Sequence, residues 1–136
     1  LTLLLDAGVW VASGAGDDRY HPEASALVRG RQDALAALDL TLYEVANALG
    51  VKHGQPRNAE RLSRLIVRCC GESRLARVDS ELVGTAVEIA GQHRISAYDA
   101  TYVAVAQRRG WQLVSTDIRD LVSKGLAVTP DAADYP

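Results

Sequence analysis

Phenylalanine and methionine are absent from this 136-residue chain, tryptophan occurs twice, and aromatic residues make up only 5% of it. A core without Phe has to be built mainly from Leu, Val, Ile and Ala. Long apolar runs are missing as well. Leu3–Leu5 and residues 103–106 are typical of what there is, against the roughly 20 residues that a bilayer-spanning helix needs. No basic leader followed by an apolar stretch and a small-residue cleavage site is found, so a soluble cytoplasmic protein with no membrane partner is expected. Cysteine is confined to the adjacent pair Cys69 and Cys70, which would bridge only with strain, and this argues against a structural disulfide. His21, His53 and His93 are scattered and no C-x-x-C occurs, which leaves no zinc-ligand pattern. Lysine is scarce too: of 15 basic residues all but Lys52 and Lys124 are arginine. That bias reflects either base composition or the better fit of Arg to phosphate. The net charge of −2 does not advertise nucleic-acid binding, nor does it exclude it, because distribution matters more than the sum.

What is present is ordinary globular material, 48% hydrophobic and 24% charged, enough for one domain over residues 1–136 with a real core and no staples. Residues 1–6 read as a short buried strand, an apolar run ending in a polar residue. Helices are expected over 7–15, 22–31 (with Pro22 in its first turn), 41–53 and 58–70. Gly14 and Gly16 end the first of these, residues 54–56 the third, and Gly71 the fourth. Further helices are read at 80–93, 96–109 and 118–124. Strands are read at 34–40, 74–78, 111–115 and 126–128, and residues 130–136 as an irregular tail. Alternating strands and helices predict an α/β fold, a three-layer α/β/α sandwich around a mainly parallel sheet. The helix over 96–109 is apolar around most of its circumference, so it packs deep in the domain, and an acid near its start needs a reason.

Four acids fall at equivalent places. Asp6 ends the first strand, Asp117 follows the fourth, and Glu44 and Asp99 lie in the first turns of their helices. In an open parallel sheet, strand C-termini and the following helix N-termini share one edge, where ligands bind. Each acid also has a plain structural reading. Asp6 and Asp117 suit helix N-caps, and Thr41-x-x-Glu44 and Ser96-x-x-Asp99 match the capping-box spacing. Caps alone do not explain why all four would meet on one edge. Clustered carboxylates repel, and a divalent cation relieves that repulsion. An all-oxygen ligand set selects Mg²⁺ or Mn²⁺, and such an ion suits phosphodiester cleavage.

The strings Leu3-Leu-Leu-Asp6-Ala-Gly-Val-Trp10, Tyr43-Glu44-Val-Ala-Asn-Ala-Leu49, Ser96-Ala-Tyr-Asp99-Ala-Thr-Tyr-Val-Ala-Val-Ala106 and Leu113-Val-Ser-Thr-Asp117-Ile-Arg-Asp-Leu121 together resemble PIN-domain nucleases, VapC-like toxins in particular. Order, spacing and chain length all match. The resemblance implies a metal-dependent endoribonuclease, with Asp6, Glu44, Asp99 and Asp117 as catalytic acids and Asp6, Asp99 and Asp117 on the metal. Ser115 and Thr116 supply hydroxyls near the last acid. Asp120 is either a fifth supporting acid or a first-turn acid of the last helix. Gly8 stands where the family usually has a hydroxyl or Asn. The resemblance further implies a VapB-like antitoxin partner, seated in a hydrophobic groove of the early helices, and a homodimer.

Arg57, Arg61, Arg64 and Arg68 follow i, i+4, i+7, i+11 along one helix. They form a solvated polar face, a phosphate-tracking strip for RNA, or a dock for an acidic partner segment. Trp10 is either core or a groove wall. Two other functions compete with the nuclease. A non-catalytic PIN-like binding module would be expected to have lost at least one acid. A phosphoacceptor receiver needs neighbouring acids after its first strand, where this chain has Ala7 and Gly8, and a late Lys, for which Lys124 is badly placed.

Overall fold

The computed structural model describes residues 1–133. Four short strands, β1 (Leu3–Leu5), β2 (Leu35–Leu38), β3 (Leu75–Ala76) and β4 (Gln112–Val114), form a sheet in the order β3-β2-β1-β4. Every pairing is parallel. The strands carry the helices α1 (Ala7–Gly14), α2 (His21–Gly30), α3 (Asp39–Val45), α4 (Pro56–Arg74), α5 (Ser80–His93) and α6 (Ala97–Arg109). Side chains alternate across the sheet as the twofold strand period demands. Leu3, Leu5, Leu35, Ala37 and Val114 join one core with Trp10, Leu27, Leu49 and Ile66 of the early helices. Leu4, Ala36, Leu38 and Leu113 join a second core with Leu82, Ile89, Tyr102 and Val105 of α5 and α6. The three-layer sandwich is therefore formed, and α6 is buried from Ala100 through Ala106.

Differences from the sequence reading have local causes. The helix expected from Thr41 starts at Asp39, whose carboxylate accepts from the N–H groups of Leu40 (2.8 Å) and Val78 (3.3 Å). Beyond Val45 the coil widens, and Ala46–Lys52 is wound with i→i+5 bonds such as His53 N–H to the Ala48 carbonyl. The fourth helix does break at Gly71, with φ 58° and ψ −164°, and one further turn carries the chain to Arg74. The strand expected at 126–128 shrinks to a single parallel bridge, Val114 to Val128. Ile118–Val122 is one i→i+5 turn, and Pro130–Ala132 is a tight 3₁₀ turn within the expected irregular tail, whose residues 134–136 lie outside the described residues. Trp10 is core, fully buried, and its indole N–H has no partner. Cys69 and Cys70 are both free. Among the described residues no helix is long and apolar enough to cross a membrane.

Candidate active site

Strand order changes direction between β1 and β4, where β1 leads outward to β2 and the chain returns through α5 and α6 to the other side. Because all four strands are parallel, their C-terminal ends share one edge, and the switch point opens a crevice there. Asp6 sits on the β1 side of that crevice. Its N–H donates to the Val114 carbonyl at 3.1 Å, and its Oδ1 accepts from the Val9 N–H at 3.1 Å, which caps α1. The side chain is buried, and burial pushes its carboxyl up to about 7, helped by the charges of Asp99 and Glu44 and opposed by hydrogen bonds from the Ser115 hydroxyl and the Val9 N–H. A Cβ placed on Gly8 would stand 3.4 Å from Asp6 Oδ1 and 3.2 Å from Thr116 Oγ1. The Thr116 hydroxyl therefore stands close to the space that a side chain at residue 8 would enter.

The β4 side supplies Asp117 and Asp120, with Asp99 from the start of α6 beside them. Ser115 is fully buried, and its Oγ accepts from the Asp117 N–H at 2.9 Å while its hydroxyl serves Asp6. Asp117 Oδ1 accepts from the Asp120 N–H at 2.9 Å and so caps the Ile118–Val122 turn. Asp99 lies in the first turn of α6, where Ser96 is the N-cap and accepts from the Asp99 N–H at 3.0 Å. Carboxylate oxygens of Asp99, Asp117 and Asp120 all lie within 4.8 Å of one another. Burial raises the Asp99 carboxyl above its ordinary value, followed by the charges of Asp117 and Asp120, with the Ser96 hydroxyl opposing. The capping and clustering readings are therefore compatible, since a carboxylate that caps with one oxygen still presents the other. Asp120 stands inside this tight group, whereas Asp6 stands apart from it within electrostatic reach of Asp99.

Glu44 reaches the same edge by a different route. The early start of α3 puts it in the second turn, so the expected Thr41–Glu44 capping box is not made. Thr41 Oγ1 accepts instead from the Leu38 N–H at 3.0 Å. Glu44 Oε1 accepts from the Tyr102 hydroxyl at 2.7 Å, and Tyr102 Oη lies 2.8 Å from Thr41 Oγ1. Burial raises the Glu44 carboxyl, the nearby Asp99 adds to this, and the Tyr102 hydrogen bond works against it. Sequence reasoning passed over Tyr102. The available signal was a hydroxyl-bearing aromatic three residues after Asp99, placed inside the apolar run of α6 rather than on its exposed face as Tyr98 is.

The arginines do not converge on the crevice. All four are exposed, and α4 runs back toward the strand N-terminal edge before β3, so the stripe leads away from the acids over about 16 Å. Arg61 borders a cleft of about 310 Å³ with Ser13, Ser25, Val28 and Leu65, between α1, α2 and α4. Arg64 and Arg68 flank Leu42 and Val67 on the α3 side, and Arg64 is paired with Glu60.

With this geometry in place, similarity to known proteins is informative. A family model described as PIN domain matches residues 3–123. Ribonuclease VapC3 of Pyrobaculum aerophilum is 32% identical over 135 residues, covering 96% of this chain and 100% of that protein. Among solved structures, Mycobacterium tuberculosis VapC20, a sarcin-ricin loop cleaving toxin, superposes with a TM-score of 0.76 at 22% identity, over 91% of this chain and 95% of its own. A toxin–antitoxin complex from Klebsiella pneumoniae gives 0.71 at 17% identity, over 95% and 98%. The two structures share the fold.

Proposed function

This chain belongs to the PIN-domain family, and from that premise we propose that it is a Mg²⁺- or Mn²⁺-dependent endoribonuclease, the toxin half of a toxin–antitoxin pair. The observation that carries the reading is the grouping of Asp99, Asp117 and Asp120 carboxylate oxygens within 4.8 Å, with Asp6 beside them. An all-oxygen set fits a hard dication, and the Asp6 and Asp99 carboxyls, raised first by burial and then by their acidic neighbours, are groups whose charged forms a cation would favour. Asp99, Asp117 and Asp120 would hold the ion, with Asp6 completing the set. When bound, such an ion acidifies water and stabilises charge on the phosphodiester. Glu44, the remaining acid, takes a proton from the attacking water, a role suited by the basicity that burial confers. Thr116, beside Gly8, offers its hydroxyl to substrate where the family usually places one on α1. The chain acts on cytoplasmic RNA as a single nuclease domain and as a homodimer. The cleft between α1, α2 and α4, with an apolar floor and the Arg29 and Arg61 rim, receives a VapB-like antitoxin segment. Arg57, Arg64 and Arg68 assist in binding the antitoxin or RNA.

The direct test is cleavage of single-stranded RNA by purified protein with Mg²⁺ or Mn²⁺, and with a chelator. Wild type should cleave only with metal, and Asp99→Asn and Asp117→Asn should each lose at least about a hundredfold. Expression without the partner should arrest bacterial growth, and the same substitutions should relieve the arrest. Variants that cleave and arrest growth as well as wild type, at equal soluble yield, would show that these acids do no chemistry.

A further inference from the structure

The Glu44 carboxylate, on α3, is hydrogen-bonded by a side chain of another helix, Tyr102 of α6. Its helix, α3, cannot fix it alone, because beyond Val45 the helix changes to the wider winding. The hydrogen bonds around it have only one consistent direction. Glu44 as a carboxylate can only accept, so the Tyr102 hydroxyl must donate to Oε1. Tyr102 Oη, its proton spent, must accept from the Thr41 hydroxyl. Thr41 Oγ1, having donated, accepts from the Leu38 N–H. The chain therefore begins on the backbone at the exit of β2, where Leu38 is the last strand residue, and ends on Glu44. Thr41 is fully buried and Tyr102 is 1% exposed, so water does not compete for either hydroxyl.

We propose that Tyr102, held by Thr41, is the positioning residue for Glu44: its hydroxyl occupies Oε1 and turns the free Oε2 toward the crevice. The inference deepens the nuclease reading and rests on it for the role of Glu44, while the positioning itself concerns only this chain's own groups. A cost arises if the hydroxyl is removed, because a half-buried carboxylate then loses a charge-assisted bond and regains rotamer freedom. Partners that orient site groups from behind in this way typically contribute tenfold or more to metal affinity or rate.

The test compares wild type, Tyr102→Phe, Glu44→Gln and the double variant, first by calorimetric titration with Mn²⁺ alone. Glu44 is not a ligand, but its charge acts on the acid group through Asp99. Tyr102→Phe, which frees that charge to turn away, should therefore weaken Mn²⁺ binding by roughly threefold, and in the Glu44→Gln background the same change should have no effect on it. In RNA cleavage the loss should fall on kcat with KM unchanged, with the same dependence on Glu44. Thr41→Ser should retain function and Thr41→Val lose it, which separates the hydroxyl from simple packing. Equal losses from Tyr102→Phe with and without Glu44 would mean that Tyr102 only supports the core, and would overturn the proposal. Should Tyr102→Phe fail to fold, Thr41→Ser against Thr41→Val decides by the same Mn²⁺ criterion. A wild type that binds Mn²⁺ with the expected coupling yet cleaves no RNA would instead overturn the nuclease reading and leave the positioning role standing.

Discussion

In the folded chain Asp6 keeps a proton that it gives up in the unfolded one between about pH 4 and pH 7. The folded form is the better proton binder there, so this carboxyl favours folding fully below its ordinary value, and that contribution is lost as pH rises through about 7. In the presence of a chelator, wild-type stability should fall relative to Asp6→Asn across this window, by an amount on the order of a few kcal/mol. Asn caps α1 as Asp does, so the Val9 N–H stays satisfied. Denaturant unfolding at a series of pH values checks it, and parallel curves for the two proteins would refute it. This behaviour was not legible in the sequence. An Asp closing a strand looks the same whether its surroundings are wet or, as here, sealed by Ser115 and the core.

Gly71 ends the regular part of α4 at a backbone conformation that is essentially closed to other residues. A Cβ there meets no atom within 4 Å, so the whole penalty of Gly71→Ala is backbone strain, about 1–3 kcal/mol. A melting temperature lower by several degrees is expected, with RNA cleavage unchanged below the transition, since the glycine contributes no group to the crevice. An unchanged melting temperature would mean that the break is not required. Gly71 was readable as a stop because a glycine after an amphipathic helix carries its own mechanism. The start of α3 was not, because its N-cap is Leu38, an apolar residue whose N–H is taken by Thr41 at the third helical position, and Asp39, the first helical residue, is held by the Val78 N–H, 39 residues away. The expected strand at 126–128 fails for a related reason. Its apolar residues match a strand or a packed coil equally, and only the pairing of Val128 alone distinguishes them.

At the scale of the molecule, the layered fold and the shared edge followed from alternation of strands and helices, and they delivered Asp6, Glu44, Asp99 and Asp117 to one crevice. Which carboxylates approach most closely depended on the Ile118–Val122 turn, and that turn brings Asp120 in. Since a cation would bind only the folded arrangement, Mn²⁺ at one hundred times its dissociation constant should stabilise the protein by about 2.7 kcal/mol, several degrees in melting temperature. Asp117→Asn preserves the cap on the Asp120 N–H and should fold normally, yet lose most of this rise. Asp120→Asn should lose a substantial part of it. If the full rise survives in both, the three-acid group holds no metal. One feature outside the crevice bears on its upkeep. β4 is the last strand of the sheet, and on its far side the Val128 N–H donates to the Leu113 carbonyl while the Val128 carbonyl accepts from the Ser115 N–H. Those two bonds occupy backbone groups that could otherwise pair with a strand of another chain. They also clamp Ser115, whose hydroxyl joins Asp6 to Asp117. Loss of the Val128 pairing would therefore expose the protein to self-association and loosen the acids in a single event.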